Sequence, residues 1–293
     1  MTVARSGLSI GHRRSKRKRG PSLKPAHVKQ ETESPMLKVR NDHGFFSCCS
    51  VRLYEIINFY NDHRCFPPIL DSTDMFLQYK PTPPEDVTFD FFEHYKNIEK
   101  QISHPIPSID AYMYQFSNYK DIPYASLKPY VKRYFTPASQ IKSRQQEIIS
   151  KYQIEPQNCI AVYYRGTDKQ LETQVDSYES FYKRVAYLNR LINNPNVKVL
   201  IQTDTKQFQD YMRAKLPNVV VVEELKVSAS NAGIHNEQSN QENHADMLNL
   251  LPVLLIAAQC KYIICTSGNV SVWTLLFRGN ADNVHQNLDR VWL

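Results

Sequence analysis

The sequence predicts an α/β protein built on a doubly wound parallel sheet. From residue 159 onward, short apolar runs alternate regularly with segments of helical period, the pattern of repeated strand–helix units. Those runs are continuous in Val, Ile and Leu, which marks strands buried on both faces. A length of 293 residues holds one large or two ordinary domains, either with a sizeable core.

The elements follow in order. "MLKV" is a short strand, "NDHGFFSCC" a glycine-containing turn, and "SVRLYEIINFYND" a helix with apolar residues at 51, 53, 56, 57, 59 and 60. Ser47 or Ser50 is the expected cap of that helix. "CFPPILDS" is the next strand. Residues 80 to 130, rich in Pro, Tyr and Phe, predict short helices and irregular structure packed by aromatics. "FTPASQIKSRQQEIISKYQI" reads as a helix capped by Thr136, with Pro137 at its first position. It runs into the strand "NCIAVYY", and this point divides an N-terminal domain, 36–155, from a C-terminal domain, 156–293. The second half then alternates: strand 159–164, helix 177–193, strand "VKVLIQ" ending in Thr203 and Asp204, helix 205–215 and strand "NVVVVEE". A polar loop, 226–243, precedes helix 244–259, strand "YIICT" and helix 269–278.

The formal charge of +7 is carried by one end of the chain. Residues 1 to 40 hold 11 Lys or Arg and 2 Glu, so the other 253 residues, with 25 basic and 27 acidic side chains, sum to −2. The run "HRRSKRKRGPSLKP" has little to bury, and residues 1–35 are expected to be a disordered basic tail. It fits a nuclear-localisation signal, an arm for nucleic acid or another polyanion, or a solvated tail with Met36 as a second start. No window has the apolar length of a signal peptide or membrane span, which predicts a soluble, cytoplasmic protein. The six cysteines show no CxxC pair and no histidine at zinc spacing, so they read as reduced core residues. The Asn-x-Ser sequon at Asn269 lies in a loop where a glycan would block the expected site.

Ligands of open parallel sheets bind beyond the carboxyl ends of the strands. Three strands end there in suitable residues: "YYRGTDK", "IQTDT" and "YIICTSGNVS". In the third, Thr266, Ser267 and Gly268 run into a helix whose positive terminus would hold a phosphate without a metal. Arg165, at the end of a neighbouring strand, offers a planar fork to the same anion.

The order of "VKRYFTP" with its following helix, "IAVYYRGTDK", "ESFYKRVAYL", "VKVLIQTDTKQF", "AGIHN" and "LLIAAQCKYIICTSGN" resembles the α1,6-fucosyltransferase and O-fucosyltransferase superfamily. "HGFFSCCSVRLYEII" is similar to that family's amino-terminal donor-binding turn and helix. The resemblance covers residues 37 to 293. It implies a GT-B fold, two Rossmann-like domains with parallel sheets facing across a cleft. It also implies an inverting, metal-independent reaction without a cofactor, carrying a sugar from a nucleotide-diphosphate donor, GDP-fucose, to a hydroxyl of a glycan or protein acceptor. By the same resemblance Arg165 contacts the donor diphosphate, Asp168 fixes its turn, and Lys169 is the adjoining basic residue. Thr266, Ser267, Gly268 and Asn269 form the phosphate-binding motif, and Gly44, Phe45 and Phe46 the turn whose backbone approaches the nucleotide. Tyr163, Asp204 and His235 complete the donor-binding set. Glu172 lies one residue out of register with the carboxylate that the family places to accept the attacking proton, with Asp176 and Glu179 as rivals.

The chain departs from the family pattern at Tyr163, which replaces a histidine, and at Gly166, which replaces a second arginine. Val253 or a neighbour replaces an acidic residue on the helix before "YIICT", Gly268 and Asn269 replace a serine pair, and Trp273 replaces an arginine. These changes touch recognition of the base more than of the diphosphate. Two other classes stay open: a catalytically inactive nucleotide-sugar or glycan-binding relative, and a polyanion-binding protein acting through its tail.

Overall fold

A computed structural model describes residues 36–82, 84–95, 111–167, 172–228, 234 and 238–293. The expected basic tail, 1–35, lies outside the described residues. The described residues fall within one compact unit.

The first elements are β1 (Met36–Asn41), α1 (Phe45–His63) and β2 (Ile69–Met75), with β1 and β2 paired in parallel. They make one βαβ unit. Helix α1 begins before the residues expected to cap it: Gly44 is its N-cap, and Ser47 and Ser50 are buried within it. Aromatic packing decides this. The Phe45 ring lies 4.9 Å from that of Phe76 and 4.7 Å from that of Phe91, so the helix starts where Phe45 enters the core. The Tyr79 hydroxyl, accepting from the Phe45 N–H at 3.0 Å, does what a serine cap would have done.

The aromatic-rich stretch forms 3-10 turns at Leu77–Tyr79, Ala111–Phe116 and Tyr119–Asp121, a short helix α2 (Thr88–Phe91), and α3 (Tyr124–Tyr134). Helix α4 (Ser139–Tyr152) is capped at Ala138, not at Thr136 as expected. The Glu93 N–H donates to the Thr136 carbonyl at 2.8 Å and the Ala138 N–H to the Phe91 carbonyl at 2.9 Å, which keeps residues 136–138 extended. The Thr136 hydroxyl turns back to the Lys132 carbonyl, 2.6 Å away, and closes α3.

The second half contains β3 (Cys159–Tyr164), α5 (Tyr178–Ile192), β4 (Lys198–Thr203), α6 (Lys206–Lys215) and β5 (Val219–Val221). It continues with α7 (Asn240–Gln259), β6 (Tyr262–Thr266), α8 (Asn269–Arg278), β7 (Val284–Leu288) and β8 (Val291–Trp292). The sheet order is β5-β4-β3-β6-β7-β8, parallel except for the β7–β8 pair. The expected α/β architecture with parallel sheets is therefore present, its N-terminal sheet reduced to two strands.

Three differences from the sequence reading have local causes. Helix α7 starts at Asn240 because Ser239 and Glu242 form a capping box inside the stretch read as loop. Strand β5 is short because the chain turns at Glu223 and Glu224 on the sheet edge. The pair β7 and β8 was not anticipated, since "VHQNL" lacks an apolar run; Gln286 and Asn287 are nonetheless buried.

One buried cluster runs from Val39 to Val284 and joins α1, α3, α7 and α8 into a common core. At its centre the fully buried Arg52 donates through Nε to Ser72 Oγ at 3.1 Å and through Nη1 to the Tyr134 carbonyl at 3.0 Å. Five of the six cysteines are buried free thiols, whereas Cys65, expected in the core, is exposed in the turn after α1. No helix among the described residues is long and apolar enough to cross a membrane.

Helix α4 is tied to the β5 edge by Glu224, which accepts from the Tyr152 hydroxyl at 2.7 Å, Lys151 Nζ at 2.9 Å and Arg144 Nη2 at 3.1 Å. Burial works to raise this carboxyl, but the hydrogen bonds from Tyr152 and Lys151 outweigh it and hold the group down at about 2, against an ordinary 4.5. Its folded value is depressed, so its stabilisation is complete above the unfolded value and is lost as pH falls towards 2. Calorimetry should show Glu224→Gln with a lower Tm at pH 7 and a flatter acid dependence between pH 4.5 and 2 than the parent protein. An unchanged acid slope would remove Glu224 as its source.

Candidate functional site

The carboxyl ends of β3, β4 and β6 meet the first turns of α1 and α8 around a cleft of about 480 Å³. Its position is the one that parallel strand order dictates for ligands. Gly44, Phe45, Phe46, Tyr163, Arg165, Glu172, Asp204 and Asn269 of the sequence-predicted set all line it.

Arg165 follows β3 directly, and its N–H donates to Thr266 Oγ1 across to β6 at 3.2 Å. Thr266 is itself held by the Ser271 hydroxyl, which donates to its carbonyl at 2.6 Å. The next two residues are fixed from the other side by Asp204. Its Oδ1 accepts from the Gly166 N–H at 2.9 Å, and its Oδ2 from the Thr167 hydroxyl at 2.7 Å. The Arg165 guanidinium stands over the same carboxylate, Nε to Oδ2 3.7 Å. That distance exceeds a hydrogen bond, so the pair orients the side chain by charge.

The resemblance gave the turn-fixing role to Asp168. Asp168, Lys169 and His235 lie outside the described residues; among the described residues the carboxylate that holds the turn is Asp204. Gly166 is required sterically. A Cβ there would sit 2.5 Å from Tyr164 Cε1 and 2.8 Å from Thr205 Oγ1. The Tyr164 ring has no room to yield, being stacked on Phe208 at 4.2 Å and edge-on to Phe181 at 5.1 Å. A second arginine at this position is excluded by packing.

Thr266, Ser267 and Gly268 do not face the cleft. The Ser267 N–H donates to the Asn287 carbonyl at 2.9 Å, and the Gly268 N–H to the Tyr119 hydroxyl at 2.8 Å. What lines the cleft instead is the next step along the chain, Asn269 and Val270 at the start of α8. On the opposite wall Gly44 is open: a Cβ would meet only the Tyr79 hydroxyl, at 3.9 Å.

Glu172 is exposed and lines the cleft. The two other candidates, Asp176 and Glu179, also have partners. Asp176 Oδ2 accepts from Trp292 Nε1 at 3.0 Å, and Glu179 accepts from the Tyr211 hydroxyl. Among the described residues no group of His, Cys, Asp and Glu is arranged to hold a metal ion.

Helix α7 supplies polar groups that the sequence reading missed. Val253 is fully buried, but Asp246, roughly two turns earlier on the same helix, lines the cleft with Asn243. Burial lifts the Asp246 carboxyl above its ordinary value, opposed by Gln238 and by Lys226, whose Nζ lies 3.9 Å from Oδ2. The signal that could have found it is the helical period itself, which returns to the same face after seven positions. Tyr79 and Tyr119 were missed for another reason: their hydroxyls act on backbone far away in sequence.

The fold is similar to solved fucosyltransferases. One is a NodZ alpha-1,6-fucosyltransferase structure soaked with GDP-fucose, at a TM-score of 0.53 and 15% identity over 83% of this chain and 92% of that one. Another is the fucosyltransferase NodZ from Bradyrhizobium, at a TM-score of 0.53 and 16% identity, over 86% and 97%. No family model matches the chain, and no curated protein matches it by sequence. The likeness establishes a fucosyltransferase-like α/β fold over most of both chains.

Because the Gly166 pocket is closed on both sides, Gly166→Ala should cost about 1–3 kcal/mol through overpacking. Urea unfolding will read this, and a cost within error of zero would show that Tyr164 yields after all.

Proposed function

We propose that the protein is an inverting, metal-independent glycosyltransferase that moves a sugar, fucose in the first instance, from a nucleotide-diphosphate donor to an acceptor hydroxyl. The observation carrying this is the convergence of the Arg165 guanidinium and the first turn of α8 on one cleft at the carboxyl edge of a parallel sheet. A fold shared with fucosyltransferases, one of them soaked with GDP-fucose, supports the choice of donor.

In this reading the acceptor oxygen forms its bond to the anomeric carbon from the face opposite the diphosphate, and the bond from that carbon to the β-phosphate oxygen breaks. The electron pair leaves on the nucleoside diphosphate. Arg165 and the start of α8 stabilise the growing charge, and preorganised donors of this kind contribute a large share of rate enhancement. Glu172 accepts the proton of the attacking hydroxyl. Asp204 holds the turn that aims Arg165. Residues 36–155 supply the acceptor side and the Gly44–Phe46 turn that approaches the nucleotide, and 156–293 the rest of the donor side.

A second reading, a nucleotide-sugar binder without transfer activity, draws on Gly166, where packing excludes the second arginine of the resembled family. Donor turnover separates the two.

Thermal shift with GDP and UDP should raise the Tm for one of them. Arg165→Ala should abolish that shift and lower donor turnover by about 10²-fold or more. Stabilisation by UDP alone would redirect the donor, and no response to either would end the donor-site reading. A second substitution tests the opposite wall. Since Gly44 has open space around it, Gly44→Ala should keep the parent Tm yet weaken nucleotide binding; unchanged affinity would move the nucleotide away from that turn.

A further inference from the structure

A buried hydrogen-bond relay links α8 to α1 behind the cleft. Trp273 Nε1 donates to Ser50 Oγ at 3.0 Å, and Ser50 Oγ donates to Asn269 Oδ1 at 3.1 Å. Trp273 and Ser50 are 0% and 1% exposed, and Asn269, at 9%, lines the cleft at the first position of α8. Polarity runs one way along this relay. An indole nitrogen only donates, so the serine oxygen accepts there, and its own hydroxyl proton goes to Asn269, whose carbonyl end is turned towards it. The amide nitrogen, with two N–H donors, is left at the other end of the group. Among the described residues it has no hydrogen-bond partner.

Asn269 therefore presents donors, not an acceptor, beside the first backbone N–H groups of a ten-residue helix. A bare helix start would attract any polar atom that fits; a fixed amide whose donor end faces the ligand selects for anionic oxygen. We propose that Trp273 and Ser50 are positioning residues that lock the Asn269 amide with its N–H end towards an anionic oxygen of the bound ligand. Under the donor reading of the preceding subsection, on which this rests, that oxygen belongs to the diphosphate.

Asn269→Asp tests this with the least disturbance. The carboxylate still accepts from Ser50 and suits the first turn of a helix, yet it faces the ligand with a negative oxygen in place of N–H donors. A calorimetric scan of the full chain should give a Tm no lower than the parent, and a calorimetric titration a loss of about tenfold or more in GDP affinity. Binding of guanosine, which has no phosphate, should be unchanged. UDP and uridine run in parallel serve if the base proves different.

Ser50→Ala should weaken GDP several-fold and leave guanosine alone. In the Asn269→Asp background it should cost nothing further, because a carboxylate has no donor end to orient. Equal losses for GDP and guanosine, full GDP affinity in Asn269→Asp, or additive losses in the double variant would each overturn the relay. Absence of binding by the parent protein to any of the four ligands would instead overturn the donor reading beneath it.

Discussion

The carboxylate of Asp204 is the interaction on which the site depends. It stands at the end of β4 and binds across to the loop after β3, with one oxygen on the Gly166 N–H and Thr205 hydroxyl and the other on the Thr167 hydroxyl. A loop of this kind leaves a strand with its backbone groups unpaired. Anchoring them on a neighbouring strand end turns a flexible connection into part of the sheet edge. Arg165 is then oriented from both sides, by Thr266 through its backbone and by Asp204 through its charge. The same carboxylate gives the Arg165 cation a local counter-charge.

Packing reinforces this anchoring. Tyr164 fills the space beneath Gly166 and is clamped among Phe208, Tyr178 and Phe181. The loop thus rests on a rigid aromatic floor, and only glycine fits above it. On the facing side the aromatic cluster around Phe45 sets the start of α1 and so the position of the Gly44 turn. Two unrelated aromatic groups, one under each wall, fix the width of the cleft.

Much of this was legible in the sequence where one periodicity dominated. The continuous runs at β3, β4 and β6 showed buried parallel strands, and their polar endings placed Arg165, Asp204 and Asn269 at one edge. Features decided by distant partners were not legible. Serines at 47 and 50 had the composition of a cap, but the core claimed Phe45 first. Thr136 was drawn back to α3 by strand-like contacts with residues 91 and 93. Ser267 and Gly268 looked like an anion cradle, yet their N–H groups serve Asn287 and Tyr119. Asp246 was hidden because apolar Val253 fills the position where the resembled pattern has an acid, while the same helix face carries one seven residues earlier.

The link at Tyr119 bears on how rigid the cleft is. Its hydroxyl accepts from the Gly268 N–H and donates to the Gly268 carbonyl at 3.2 Å, while its own N–H donates to Gln286 Oε1 at 2.8 Å. Gln286 Nε2 in turn donates to the Ser117 carbonyl and to Ser267 Oγ, both at 2.8 Å. The segment 117–119, from the N-terminal half, is thereby fastened to the start of α8 and to β7 through groups buried from water. Opening the molecule along this seam would strand several of those groups at once. The segment 117–119 and the start of α8 are therefore held to one another by the protein's own groups, and the backbone beside the cleft has little freedom to rearrange.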